Sequence, residues 1–504
     1  MLRHLKQIAI IIVLISLLSY VLLYYSTTLF YIVGIVLEII GVLIALSLLL
    51  FDSRGTNSKV AWIAVIIVLP IIGIISFFFF GRNPVKRKFS HHQYKEMDKI
   101  QQTVRNLPSP MLSDTPELSQ QIAHLTNSMP LHGNDITILT NGNQTFEAIL
   151  ESLKNANNHI HMQYYIFRDD EIGTEIRDML IKKAQAGVEV RFLYDGWGTK
   201  LPNRFIKPLI DAGAEVEVYD PIYSFWIART ANLRNHRKIV VIDGQTAFTG
   251  GLNVGEEYRS NTGDFSFWRD SHLKIEGLGV RVLQESFLMD WMYTKNQALA
   301  ADSFVSNKGI QQYFSPVKDG NQWAQVVYGG PYDNERLVRD AMLDLIDTAK
   351  KSVSIISPYF VPDEESLAVL RRVAMSGIEV NIILPGKGDR GLSFHGSNAY
   401  IETMIKAGAK MHAYDKTAFI HAKIMIVDNE KAAIGTANFD VRSFRLNHEL
   451  MVFLYDSSDA VNHLVQDFKN DLYHSTLYTL EEMKNKPFLQ RLQEQLSSLF
   501  SPIL

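Results

Sequence analysis

The chain has 504 residues, 47% of them apolar, a formal charge of −3 and no cysteine. That length calls for two or three folding units rather than a single core. The charge excludes a globally basic surface of the kind that holds nucleic acid, and the missing cysteines exclude disulfides, thiolate metal sites and a cysteine nucleophile.

Three long apolar runs open the chain, at 8–25, 30–51 and 60–80. A helix needs about 20 such residues to cross the ~30 Å hydrocarbon layer. The second and third runs meet that length. The first is short, but no small-residue cleavage site follows it, which favours a retained helix over a signal peptide. Residues 1–81 are therefore expected to form a three-span anchor. Arg3, Lys6, Arg54 and Lys59 then share one side, and Arg82, Lys86, Arg87, Lys88 and Lys95 the other. Four against five places the large domain in the cytoplasm by the positive-inside rule. Glu38, inside the second run, is a functional carboxyl or a protonated helix contact.

From Gly81 the composition turns polar, and 82–130 reads as a juxtamembrane linker with some helix. Beyond it, short β-rich runs alternate with amphipathic helical segments, an α/β pattern. The pattern then repeats. Ala186-Gly187-Val188-Glu189-Val190 is echoed by Ser376-Gly377-Ile378-Glu379-Val380, and Asp211-Ala212-Gly213-Ala214 by Lys406-Ala407-Gly408-Ala409. This is too long a period for a solenoid. It marks a duplicated domain, 131–315 and 316–504, with a pseudo-two-fold axis and a shared site between the halves.

One echo carries chemistry. His236-Arg237-Lys238, an apolar stretch, Asp243 and Gly250-Gly251-Leu252-Asn253 match His421-Ala422-Lys423, an apolar stretch, Asp428 and Gly435-Thr436-Ala437-Asn438. On a strand, residues two apart share a face, so each His lies beside its Lys. An imidazole next to an ammonium suits a phosphate, and the ammonium favours the neutral, nucleophilic imidazole. Asn253 and Asn438, arriving from glycine-rich turns, can donate to phosphate oxygens. Asp243 and Asp428 lie an odd number of residues from the His, on the other face. They are expected to fix the strand end and the fold of the motif. A single such motif is most often an ordinary strand with a polar face. Two copies at identical spacing in a duplicated domain are not.

These motifs resemble those of the phospholipase D superfamily and, within it, bacterial cardiolipin synthases. Residues 250–258 (GGLNVGEEY), 268–277 (WRDSHLKIEG) and 435–449 (GTANFDVRSFRLNHE) carry the resemblance, together with the anchor segment 61–81. It implies two mixed β-sheets flanked by helices, and His236, Lys238, Asp243, His421, Lys423 and Asp428 as the catalytic motif. It implies no cofactor and no metal. One histidine attacks phosphorus and the other serves as acid and base, with His236 as the nucleophile by family habit. It further implies that Asp270 and Glu449, each some 25–35 residues after a motif histidine, orient the imidazoles. The expected reaction joins two phosphatidylglycerols into cardiolipin and glycerol at the membrane. Hydrolysis of phospholipid is the alternative, and phosphatidylethanolamine could replace one substrate. Nucleic acid is not an expected partner, and the sequence leaves oligomeric state open.

Other residues have blander readings. His159 and His161 read as strand surface rather than a metal pair. Tyr165 and Tyr359 either line the pocket or pack in the core. His395 either contacts a headgroup or stands on a helix surface. The tail from Pro487, with Leu489, Leu492 and Leu496 at helical spacing, is an interfacial helix or packs on the catalytic domain.

Overall fold

A computed structural model describes residues 27–51, 56–80, 91–107, 115–221, 232–259, 265–295, 313–314, 320–331, 336–389 and 391–499. The expected span 8–25 lies outside these. The chain forms two compact units, Met1–Asn83 and Pro84–Leu504.

In the first unit, helix α1 (Thr27–Phe51) is followed by α2 (Thr56–Val68) and α3 (Pro70–Phe80). Within α1, Tyr31–Phe51 is long and apolar enough to cross a membrane. The run 60–80 departs from the single span expected of it. Proline cannot donate a backbone bond and its ring displaces the preceding turn, so Pro70 ends α2 in a sharp bend. The rings of Trp62 and Phe77 come within 5.4 Å, although a straight helix would separate these residues by about 22 Å. Gly73 sits against the Val65 carbonyl, where a side chain would collide. The run is therefore a short helical hairpin.

The second unit begins with α4 (His91–Arg105) and α5 (Glu117–Thr126). Ile100 of α4 and Ile122 of α5 are fully buried in the cores that follow, so this stretch is built into the unit. Among the described residues the main elements that follow are β1 (Leu131–Thr140), α6 (Asn141–Lys154), β2 (His159–Tyr164), α7 (Glu171–Gln185), β3 (Glu189–Asp195), α8 (Asn203–Asp211), β4 (Glu215–Tyr219), β5 (Ile239–Ile242), β6 (Thr246–Gly250), β7 (Ser271–Gly277) and α9 (Val280–Lys295). The same order recurs as β8 (Gln322–Gly329), α10 (Leu337–Asp347), β9 (Ser352–Ile356), α11 (Glu364–Met375), β10 (Glu379–Leu384), α12 (Gly391–Lys406), β11 (Lys410–Tyr414), β12 (Ile424–Val427), β13 (Lys431–Gly435), β14 (Asn447–Leu454) and α13 (Asp459–Tyr473). A last helix, α14 (Phe488–Leu499), packs on α12.

The two expected sheets are one. Apart from the short edge strand Ser475–Leu477 beside β11, the strands run β11-β10-β9-β12-β13-β14-β8-β1-β7-β6-β5-β2-β3-β4, a palindrome about the β8–β1 seam. That seam is antiparallel and irregular, with Leu131 opposite Ala324 and Asn134 opposite Gln322. It makes the fusion possible because each repeat leaves its first strand at an edge, where unpaired backbone groups need a partner.

The sheet is covered on both faces. Alternate residues of β5 show this: Ile239 and Val241 enter a core spanning both repeats, while Val240 and Ile242 enter the outer core of repeat 1. In β12, Ile424 and Ile426 share that common core, and Met425 and Val427 enter the outer core of repeat 2. The four apolar residues between Lys and Asp thus form a strand buried on both sides. The same coverage corrects the reading of His159 and His161. Both are buried beneath α9, where His159 Nε2 lies 3.2 Å from Gln284 Oε1 and Gln284 Nε2 donates to His161 Nδ1 at 2.7 Å. A strand with helices on both faces has no surface side to offer them.

Candidate active site

Each motif histidine sits just before its buried strand and is tied to the opposite repeat. Arg234–Asn235 pairs in parallel with Asn447 and His448, and Ala418–Ile420 with Phe267–Arg269. The His236 amide donates to the His448 carbonyl at 3.0 Å, and the His421 amide to the Arg269 carbonyl at 2.7 Å. The residues that follow these two carbonyls are Glu449 and Asp270.

The carboxylates accordingly reach across the axis. His236 Nδ1 lies 2.9 Å from Glu449 Oε1, and His421 Nδ1 lies 2.7 Å from Asp270 Oδ2. This corrects the expected pairing, in which each carboxylate served the histidine upstream in its own repeat. Sequence separation suggested that pairing, but the parallel ladders deliver each carboxylate to the other half. Glu449 is fixed by Thr436 Oγ1 at 2.5 Å and Asn447 Nδ2 at 3.1 Å. Asp270 accepts from the Ser271 amide at 2.8 Å. Thr436 occupies the place of Gly251 in the other repeat, where any Cβ would run into Asp270 Oδ1. The sequence held a signal for Thr436, since it is the one difference between the two glycine turns that adds a donor, but only the fold shows what it donates to.

The two lysines are buried between these pairs. Lys238 Nζ donates to the His236 carbonyl at 2.6 Å, and Lys423 Nζ to the His421 carbonyl. Lys423 Nζ also lies 3.0 Å from His421 Nδ1. That nitrogen cannot both donate to Asp270 and accept from an ammonium. The shorter contact to a carboxylate fixes Nδ1–H, and Lys423 acts there through its charge. Nδ1 of each histidine is thus engaged, which leaves each Nε2 for the reacting groups.

Burial is the largest influence on these groups. With the Lys238 and Lys423 charges it pushes His236 down to about 4 against the pull of Glu449, and His421 likewise to about 4 against Asp270. Burial also lowers Lys238 to about 7 and Lys423 to about 8. For Asp270 burial works upward, but the Lys423 and His421 charges outweigh it and hold the carboxyl at about 2. The charge of Lys423 acts on His236 and that of Lys238 on His421, so the four side chains share one electrostatic site. At neutral pH it holds two neutral imidazoles and a cationic cradle that a phosphodiester would complete.

The other predicted residues fall elsewhere. Asp243 and Asp428 both adopt φ +56 at the far ends of β5 and β12. Asp243 accepts the amides of Asn157, Asn158 and His159 at 2.8, 2.7 and 2.9 Å. Asp428 accepts those of Lys350, Lys351 and Ser352 at 2.9, 2.7 and 2.8 Å. Neither faces the histidines, so membership of the motif does not place them in the reacting set. Asn253 Nδ2 donates to Tyr258 at 3.1 Å, and Asn438 Nδ2 to Asp440 at 3.2 Å, which commits one hydrogen of each amide within the protein. Glu257, a carboxylate nearer to His236 in the chain than Asp270, is taken up by Arg168 at 3.1 Å. Tyr165 does border the site, with its ring 4.8 Å from that of His236 and 5.7 Å from Lys238 Nζ. Trp268 and Phe419 flank His421 at 5.4 and 5.9 Å.

Comparison with known proteins agrees with this geometry. The family model described as cardiolipin synthase, PLD-like domain, matches residues 149–274 and 342–472. The phospholipase D-nuclease N-terminal model matches 39–82. Cardiolipin synthase 1 of Bacillus anthracis is 40% identical over 99% of both chains, and cardiolipin synthase 1 of Bacillus cereus is 42% identical over 92% of both. The crystal structure of phosphatidylserine synthase from Haemophilus influenzae Rd KW20 superimposes with a TM-score of 0.59 at 17% identity, covering 77% of this chain and all of that one, a likeness of fold. Two phospholipase D-like repeats fused in one sheet, cardiolipin synthase relatives matched over nearly their whole length and a paired His–Lys site together place this chain in the cardiolipin synthase family.

Proposed function

We propose that the chain joins two phosphatidylglycerols into cardiolipin and glycerol. The observation that carries the reading is the pair of histidines, each held by a carboxylate of the other repeat, with Lys238 and Lys423 between them. His236 Nε2 attacks the phosphorus of the first lipid. The bond from phosphorus to the glycerol headgroup oxygen breaks, and His421, which takes up a proton at Nε2 when the phosphate anion binds beside it, passes that proton to the departing glycerol oxygen. The second phosphatidylglycerol then gives its headgroup hydroxyl proton to His421 and attacks phosphorus, and the P–N bond breaks to free His236. The lysines hold the charge that gathers on the non-bridging oxygens. Repeats at 131–315 and 316–504 behind an anchor at 1–81 frame this assignment.

Detergent-purified protein given labelled phosphatidylglycerol and a chelator should release cardiolipin and glycerol in equal amounts, and His236→Ala and His421→Ala should each stop the reaction. Phosphatidic acid in place of cardiolipin would make water the acceptor and overturn the reading.

For the anchor, we propose that 8–25 and Tyr31–Phe51 cross the bilayer while the α2–α3 hairpin re-enters the side it left. All the basic flanks, from Arg3 to Lys95, then share one side, which the positive-inside rule assigns to the cytoplasm with the catalytic domain. Single cysteines at 28 and 57 test this. Only the first should react with an impermeant maleimide on intact cells.

A further inference from the structure

Helix α14 is built inside out. Its inward stripe is polar: Glu494 is 4% exposed and Ser497 3%, and Glu494 is held by Lys486 Nζ at 2.8 Å and Gln490 Nε2 at 3.1 Å. Its outward stripe is apolar: Phe488 is 76% exposed and Leu489 75%, with Leu492 and Leu496 also exposed. A helix bound for water puts these stripes the other way round. The leucines continue onto α12, where they meet Leu392 and His395 across a groove of about 390 Å³. His395 Nδ1 is buried there without a hydrogen-bond partner among the described residues, an unmet need in a largely apolar groove.

A chain of contacts through α12 links the groove to the active site. The groove starts just after Asp389, whose charge acts on Lys423. Ser397 of α12 accepts the Phe360 amide at 2.9 Å, and Phe360 stacks on Phe439, the residue after Asn438.

We propose that the outward face of α14, with Leu392 and His395 of α12, is immersed in the acyl region of a phospholipid bilayer, and that it sets the depth from which a lipid headgroup reaches Lys423 and His421. The inference rests on the cardiolipin synthase reading, because a substrate with two acyl chains must keep them in lipid while its phosphate enters a buried site. Polar-in, apolar-out packing matches an apolar surrounding phase.

The cysteine-free chain allows a direct test. The full-length protein carries a single cysteine at Leu489, Leu492 or, as a control on the exposed face of repeat 1, Lys207, labelled with an environment-sensitive fluorophore in phosphatidylglycerol nanodiscs. Doxyl groups on the lipid acyl chains should quench the labels at 489 and 492 and leave the one at 207 bright. Leu492→Glu with Leu496→Glu, both outward-facing and so compatible with folding, should abolish quenching at 489. Labels at 489 and 492 as bright as the control would overturn the proposal. So would a blue shift without quenching, whether it vanishes on removal of residues 500–504, which would assign the groove to the chain's own tail, or grows with protein per disc, which would assign it to a second copy. The readout needs no turnover, so a protein that makes no cardiolipin would count against the proposed reaction while leaving the docking result legible.

Discussion

Asp243→Asn separates the architecture of the motif from its chemistry. Asp243 Oδ1 accepts two amides and Oδ2 a third, all at 2.7–2.9 Å, from the turn that starts β2. Asparagine tolerates the left-handed backbone at φ +56, so the turn itself is not strained. Its single carbonyl oxygen can keep two of the bonds, now without charge assistance. Its NH₂ faces the Asn157 amide, donor against donor. Weakening two charge-assisted bonds and losing one in a mostly buried place costs about 2–4 kcal/mol. The urea midpoint of the purified protein should fall accordingly, with less folded protein recovered. Turnover per folded molecule should stay within several-fold of the parent, because no Asp243 contact reaches His236. His236→Ala should do the reverse, with a near-native midpoint and no turnover. A well-folded Asp243→Asn protein as inactive as His236→Ala would refute the separation.

Other expectations follow from the same geometry. Glu449→Gln keeps an acceptor for His236 Nδ1–H but loses the charge that stabilises an imidazolium, so kcat should fall about 10²–10⁴-fold with little change in KM. Gly251→Ala drives a methyl group into Asp270 and should cripple the His421 step, whereas alanine at Thr436 only removes a hydroxyl and should cost kcat about ten-fold. Acid should destabilise the fold. Unfolded histidines take up protons near pH 6.5, while His236 and His421 resist to about 4 and His448 to about 3. The unfolded state therefore binds more protons across that window, and urea midpoints should fall steadily from pH 7 to pH 4. On the alkaline side, Lys238 and Lys423 lose their protons from about 7 and 8 upward, so kcat/KM for phosphatidylglycerol should fall between pH 7 and pH 9, with kcat falling as well as KM rising.

Much of the site could be read from the chain because its logic is local. The face alternation that puts His236 with Lys238 and turns Asp243 away is a property of a single strand, and the duplication made the pattern unmistakable. What could not be read depends on the other half. Nothing within 25–35 residues of His236 tells that its carboxylate is Glu449 rather than Asp270, because the choice is made by two short parallel ladders between repeats. The merging of two sheets into one has the same origin, in an edge pairing between strands about 190 residues apart. His159 and His161 looked like a strand surface because polar residues alternate there, yet α9 covers that face and its Gln284 holds one ring nitrogen of each. The hairpin at 60–80 turned on Pro70, whose effect on a hydropathy profile is small and on a helix large.

The crossed carboxylates also set a clock on synthesis. A ribosome that has released residues through α9 has made His236, Lys238 and Asp270, but neither Glu449 nor His421. At that moment the nascent chain has one motif imidazole with no carboxylate to orient it and no second imidazole to work with it. Competence arrives only when β14 is threaded beside its counterpart, and Glu449 follows His236 by 213 residues. A half-made chain is thereby kept from reacting until both repeats are in place.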